Sequence, residues 1–123
     1  MAADHGIFMR WQRPIAGREG HAIELFNSFT SDLGKQQQQG NIESYEPVML
    51  SPDGGPIGGY FMVRGSRQNL DKLTTTDEYV NLLTQAELML KHLSVTHAYL
   101  GDGVKVQMGR YQKFLPQARL ETK

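Results

Sequence analysis

The most constraining feature of this 123-residue sequence is the order of its predicted elements: strand, helix, strand, strand, helix, strand. The predicted strands cover residues 6–13, 42–50, 57–64 and 94–100. Two strand–helix–strand halves of this kind predict a four-stranded antiparallel sheet with both helices on one face. We therefore expect a single α+β domain over residues 1–123, with a core at about 6–100, whose second sheet face is bare.

Two segments show the apolar period of a helix, in which buried residues recur every three or four positions. In the first segment the periodic residues are Ala22, Leu25, Phe26, Phe29 and Leu33. In the second they are Tyr79, Leu82, Leu83, Ala86, Leu90 and Leu93. Thr75 and Glu78 have the spacing of a capping box at the start of the second helix, and Ser66 can cap a short helical turn before it.

The C-terminal extension, residues 104–123, gives an ambiguous pattern. Val104, Val106 and Met108 alternate as in a strand, whereas Val104, Met108, Tyr111 and Leu115 fit a helix. We favour the helix and expect it to stop at Pro116, because proline removes a backbone donor and clashes with the preceding turn.

Charge and composition exclude several classes of function. The chain has 13 basic and 13 acidic residues and no Lys/Arg run, so it lacks the clustered positive charge that nucleic-acid binding requires. It has no cysteine, which excludes disulfides and thiolate metal sites. The first residues do not resemble a signal peptide and no apolar run is long enough to span a membrane, so we expect a cytoplasmic protein without a membrane partner.

A glycine-rich stretch, Pro52-Asp53-Gly54-Gly55, leads into Gly58-Gly59-Tyr60-Phe61-Met62-Val63. These glycines enter a strand and no Gly-Lys-Ser/Thr follows, which favours a hairpin over a phosphate-binding loop. With the element order, residues 6–111 resemble the dimeric α+β barrel superfamily of ferredoxin-like proteins, and this stretch resembles the hairpin of its YCII-related branch. The resemblance implies a homodimer in which two bare sheet faces enclose a cavity. Of the paired His and Asp of that branch, Asp4 and His5 precede the first strand and the fourth strand offers only His97.

Strand alternation gives the candidate site on the bare face. If Ile7, Met9 and Trp11 face the helices, Phe8 and Arg10 face the cavity, joined by Tyr60 and Met62 from the third strand. If Ala98 and Leu100 also face the helices, His97 and Tyr99 face the cavity. The predicted ligand-binding residues are Phe8, Arg10, Tyr60 and Met62, and the predicted catalytic residues are His97, as general acid/base, and Tyr99.

Three functions fit this pattern. The first is a homodimer, formed through the helix-free face, that binds a small organic ligand. The second is a cofactor-independent monooxygenase or isomerase that uses His97 and Tyr99, and the third is a non-catalytic structural or regulatory dimer. We expect no metal and no cofactor, because His92 and His97 lack a clear third ligand. Trp11 is expected in the core.

Overall fold

A computed structural model describes the backbone of residues 3–121 and the side chains of residues 3–116. The elements are β1 (His5–Trp11), β2 (Arg13–Pro14), α1 (Glu19–Gln38), β3 (Ser44–Met49), β4 (Gly59–Gly65), α2 (Arg67–Thr74), α3 (Asp77–Met89), β5 (Leu90–Lys91), β6 (Ser94–Tyr99) and α4 (Asp102–Glu121). The four long strands form one antiparallel sheet in the order β3-β4-β1-β6, and β2 pairs with β5 in a short ladder. This order, with α1, α2 and α3 as crossovers, is the ferredoxin-like α+β fold that the sequence predicts.

The hydrophobic core lies between one face of the sheet and helices α1, α2 and α3. The sheet contributes Ile7, Met9, Trp11, Phe61 and Val63, all buried, so the predicted phase of the first and third strands and the core position of Trp11 are confirmed. The helices contribute the predicted stripe of α1, the second predicted stripe as far as Ala86, and α2. Helix α3 ends at Met89, so the helical prediction was wrong for Leu90, which lies in β5, and for Leu93. The core residues from these helices are Leu25, Phe29, Leu33, Leu70, Leu73, Tyr79, Leu82 and Ala86. We call this side of the sheet the helix face and the other side the open face.

Hydroxyl side chains cap the N-termini of α2 and α3, the two consecutive helices that follow β4. The Ser66 hydroxyl accepts a hydrogen bond from the backbone N–H of Asn69, as predicted for a cap of α2. At α3 the cap is Thr76, whose side chain accepts from the N–H of Tyr79, and Thr75 instead ends α2. The capping box predicted at Thr75 is therefore wrong by one residue, because the two helices are adjacent in the chain and share this turn.

The hairpin between β3 and β4 is confirmed, and close backbone approach explains its glycines. The Asp53 carboxylate accepts from the N–H of Gly55 at 2.7 Å, and Gly54 has φ +77°, a conformation that favours glycine. A Cβ on Gly58 would overlap the carbonyl oxygen of Gln12. These glycines therefore allow the loop to lie against the end of β1.

Helix α4 confirms the helical prediction for the C-terminal extension but not its predicted end. Pro116 lies inside the helix, which continues to Glu121, so the missing donor does not end it. Gly103 is buried against the backbone of Asp4 at the helix start. Beyond that point the described apolar side chains of α4, among them Met108, Tyr111 and Phe114, are exposed.

Candidate functional site on the open sheet face

The open face presents three rows of side chains that run across the four strands. Paired residues in an antiparallel ladder point to the same face. The rows, read from β3 to β6, are Val48–Tyr60–Arg10–Ser94, Glu46–Met62–Phe8–Thr96 and Ser44–Arg64–Gly6–Ala98. The structure thus brings the four predicted ligand-binding residues Phe8, Arg10, Tyr60 and Met62 together at the centre of this face.

The centre of the open face is apolar and aromatic. Phe8 and Tyr60 lie with their ring centroids 5.1 Å apart, and Phe8 is directly opposite Met62 across the β1–β4 ladder. All three side chains are half-buried, although helices α1, α2 and α3 pack on the other face of the sheet. A half-buried aromatic cluster of this kind is typical of a face that contacts a ligand or another protein surface.

Arg10 supplies positive charge within this cluster. It lies between Tyr60 and Ser94 in its row, and within residues 3–116 no ion pair includes it. The other arginine of the face, Arg64, is 3.6 Å from the Glu46 carboxylate. Arg10 is therefore the cation of the open face whose hydrogen-bonding groups can meet an anion.

The predicted positions of His97 and Tyr99 on the open face are wrong. In the β1–β6 ladder His97 is opposite Ile7 and Tyr99 is opposite His5, which places both on the helix face. Ala98 pairs with Gly6 and so lies on the open face. Arg10 and Tyr60 therefore do not share a cavity with His97 and Tyr99, and the catalytic role given to these two residues loses its geometric basis.

The reason for the error is that β6 is an edge strand with weak alternation. Val95 and Ala98 point to opposite faces of β6 and both are apolar, so alternation of apolar and polar residues does not show which face of the strand is buried. A shift of one residue moves every side chain to the other face. His97 lies on the helix face yet stays exposed at the sheet margin, so the helix layer does not bury its imidazole.

The histidine next to Tyr99 is His5, which was not among the predicted site residues. The two ring centroids are 5.9 Å apart, and the guanidinium of Arg110 lies 5.9 Å from the Tyr99 ring centroid. His5 Nδ1 is 2.9 Å from Asp4 Oδ1, and this hydrogen bond lowers the pKa of the Asp4 carboxyl. The sequence shows adjacent Asp4 and His5 near the start of the first strand, but the contact of His5 with Tyr99 depends on the register of β6 against β1.

Neither a metal site nor a membrane span emerges from the part of the chain that the structure describes. Within it, no three His, Asp or Glu side chains come together in a group that could hold a metal ion. Among its helices, none is long and apolar enough to cross a membrane. His92 lies in the turn before β6 with φ 56°.

Comparison with known proteins supports the fold. No family model matches the sequence, and no curated protein matches it. Solved structures do match: a dimeric protein of unknown function with a ferredoxin-like fold from Bacteroides fragilis has a TM-score of 0.56 at 9% identity, covering 78% of this chain and 96% of its own. A dimeric ferredoxin-like protein of unknown function from Thermobifida fusca gives 0.60 at 10% identity, covering 80% and 92%.

A third solved structure, an ethyl tert-butyl ether D (EthD) family protein from Bacillus halodurans, has a TM-score of 0.61 at 11% identity and covers 82% of this chain and 100% of its own. Identities this low establish shared architecture and carry no chemistry from one protein to another. The comparisons therefore agree with the strand order in placing this chain among ferredoxin-like α+β proteins.

Proposed function

We propose that this chain forms a homodimer through its open sheet face, as a dimeric α+β barrel, and binds a small organic anion beside Arg10. The observation that carries the proposal is a cation without an ion-pair partner among the described residues, set in a half-buried aromatic cluster on a helix-free sheet face. Pockets for small organic molecules combine apolar walls with a few polar groups that fix orientation. The proposal includes a relation to the YCII-related branch, which is supported by the resemblance of the hairpin over residues 52–63.

Two arguments support the homodimer. Phe8, Tyr60 and Met62 are more apolar than a solvent-facing sheet surface requires, and a second copy would remove them from water. Two of the structural neighbours are described as dimeric. A two-fold contact would bring each open face against the same face of the partner, since such interfaces are self-complementary.

The ligand chemistry follows from the residues of the central rows. The guanidinium of Arg10 can donate two parallel hydrogen bonds to a carboxylate. The rings of Phe8 and Tyr60 can stack on a flat apolar body, and the Tyr60 hydroxyl can donate or accept a further hydrogen bond. A small aromatic carboxylate therefore has groups that match each part of this face.

The ligand proposal is tested by titrating the protein with benzoate and following binding by NMR. Charge-assisted hydrogen bonds contribute about 1.5–3 kcal/mol, so Arg10→Met should weaken binding by roughly 10- to 150-fold. Arg13→Met is the matched control, because Arg13 is exposed in β2 and lies outside the rows of the open face. Equal binding by the two variants would contradict the role of Arg10, and no saturable binding to the unaltered protein would refute this ligand class.

The dimer proposal is tested by light scattering on Phe8→Glu. A carboxylate in the centre of a paired face would have to lose its hydration, so the variant should be a folded monomer. Val95→Glu places the same charge on the helix face of the edge strand β6, where Val95 is already exposed, and should leave the dimer intact. A monomeric unaltered protein at micromolar concentration would overturn the proposal.

A further inference from the structure

An apolar cavity opens on the opposite side of the sheet, between α1 and the helix face. Its volume is about 170 Å³. The aromatic rings of Trp11, Phe26, Phe29 and Phe61 form its walls. The cavity opens to solvent on one side, and buried core residues such as Phe29 and Phe61 form its inner wall.

Small residues at two helix positions keep the cavity open. Ala22 of α1 and Ala86 of α3 both line it, and both are buried. A leucine at either position would extend into the space and remain compatible with a helix, because leucine is a good helix former. The cavity is therefore a consequence of side-chain choice at these positions rather than of the backbone path.

The rim of the cavity is accessible and apolar. Ile23 and Met49 line it and are 63% and 70% exposed, which makes them among the most exposed large apolar residues of the chain. Met49 ends β3 and Ile23 lies on the first turns of α1, so the opening faces solvent between a helix and a strand end. A small molecule can enter here without local unfolding.

The chemistry of the lining selects an uncharged apolar ligand. Every lining side chain is apolar; the indole N–H of Trp11 is the one hydrogen-bond donor among them, and the thioethers of Met9 and Met49 are only weak acceptors. A carboxylate or hydroxyl in this space would lose hydrogen bonds to water without replacement. An apolar cavity of about 150 Å³ is known to hold benzene or xenon, so the volume here fits a molecule of one ring.

We propose that this cavity is a second binding site, separate from the open face, for a small uncharged hydrocarbon-like molecule such as a monocyclic ring. The ligand would contact the four aromatic walls and pass the rim formed by Ile23 and Met49. Its recognition would depend on shape and apolar contact alone, in contrast to the anion proposed beside Arg10 on the other face of the sheet.

Trp11 is the only tryptophan of the chain and lines the cavity, so its fluorescence reports binding directly. Titration with toluene, excited where toluene does not absorb, should change the Trp11 emission saturably. Benzoate carries a carboxylate on the same ring, so it should produce this change only at concentrations at least about tenfold higher than those of toluene. Intermolecular NOEs from toluene to the Trp11 indole should place the ligand in the cavity of the unaltered protein.

Ala22→Leu fills the cavity and should weaken toluene binding by about tenfold or more, since the space is lost. Asn27→Leu is the matched control, because Asn27 is exposed on α1 and does not line the cavity. It should bind toluene as the unaltered protein does. Benzoate binding at Arg10 should survive in both variants, which separates failure of this site from failure of the open-face proposal.

Three results would overturn the inference. The first is no saturable change of Trp11 emission up to the solubility of toluene, with no NOE. The second is equal toluene binding by Ala22→Leu and Asn27→Leu. The third concerns quenching of Trp11 fluorescence by acrylamide. If quenching decreases as the protein concentration rises and toluene does not affect it, a second copy of the chain covers the rim.

Discussion

Three leucines of helix α3 provide a graded test of the core, because they differ in burial while sharing one helix. Leu82 is 6% exposed, Leu83 is partly buried at the edge of the core, and Leu88 is 60% exposed. Each substitution to alanine removes the same atoms from a helical position. The differences among the three variants therefore report the environment of each side chain.

The expected loss at Leu82 can be worked out from these facts. Leu→Ala removes roughly three methylene-sized groups from the core, worth about 2.4 kcal/mol of transfer free energy. A residual cavity of about 50 Å³ would add about 1.2 kcal/mol. Leu82→Ala should therefore lower the free energy of unfolding by about 3–4 kcal/mol, Leu83→Ala by about 1–2 kcal/mol and Leu88→Ala by no more than about 0.5 kcal/mol.

Urea denaturation followed by circular dichroism measures all three values, provided that the dependence of the unfolding free energy on urea is the same for each variant. Successive residues of a helix point about 100° apart, so adjacent positions distinguish one helix face from the next. If Leu83→Ala lost as much as Leu82→Ala or more, α3 would be rotated relative to the sheet and the arrangement of the core would be wrong.

The remaining predictions concern single polar groups. Ser66→Ala removes the acceptor for the N–H of Asn69 and should lower the free energy of unfolding, measured by urea titration, by about 1 kcal/mol. Ser66→Asp keeps an acceptor at this position and should retain most of the stability of the unaltered protein. Tyr79→Phe removes a buried hydroxyl that has no hydrogen-bond partner among the described residues, and thermal unfolding should show equal or higher stability; a clear loss would mean that the hydroxyl is bonded. Burial raises the pKa of Asp32 above its ordinary 3.8, so its ionised form destabilises the folded state above that pH. Asp32→Asn should therefore raise the melting temperature at about pH 7, and this gain should vanish at about pH 3, where the carboxyl is protonated in folded and unfolded states.

The sequence predicted the fold well because its strongest patterns lie in buried central elements. In β1 one phase carries Ile7, Met9 and Trp11 and the other includes Gly6 and Arg10, so the first phase is the more apolar and is the buried one. β4 is apolar on both phases, and its pairing with β1 places Phe61 and Val63 in the core. The helical stripes of α1 and α3 were clear. Where one face of an element is fully buried, the pattern specifies which residues fill the core.

The candidate site was only partly predictable, since two of its six predicted residues, His97 and Tyr99, belong to the edge strand. Phe8, Arg10, Tyr60 and Met62 belong to central strands and lie together as expected. The phase of β6 could not be read from residues 94–100, because apolar residues occur on both of its faces and tertiary pairing alone selects one. The same pairing places His5 beside Tyr99, a contact between residues 94 positions apart that no local pattern indicates.

The central claim is that the open sheet face is covered by a second copy of this chain, and thiol reactivity tests it most directly. The chain has no cysteine, so a single introduced thiol is the only one that a maleimide can modify. Thr96→Cys places it on the open face beside Phe8, and Thr84→Cys places it on the outer surface of α3; both threonines are exposed in one copy of the chain.

We predict that the thiol of Thr96→Cys reacts about tenfold or more slowly than that of Thr84→Cys at micromolar concentration, because an interface excludes the reagent, and that dilution removes the difference. If the two thiols react at the same rate at every concentration, the open face is free in solution. The homodimer, and the closed cavity beside Arg10 that depends on it, would then be wrong.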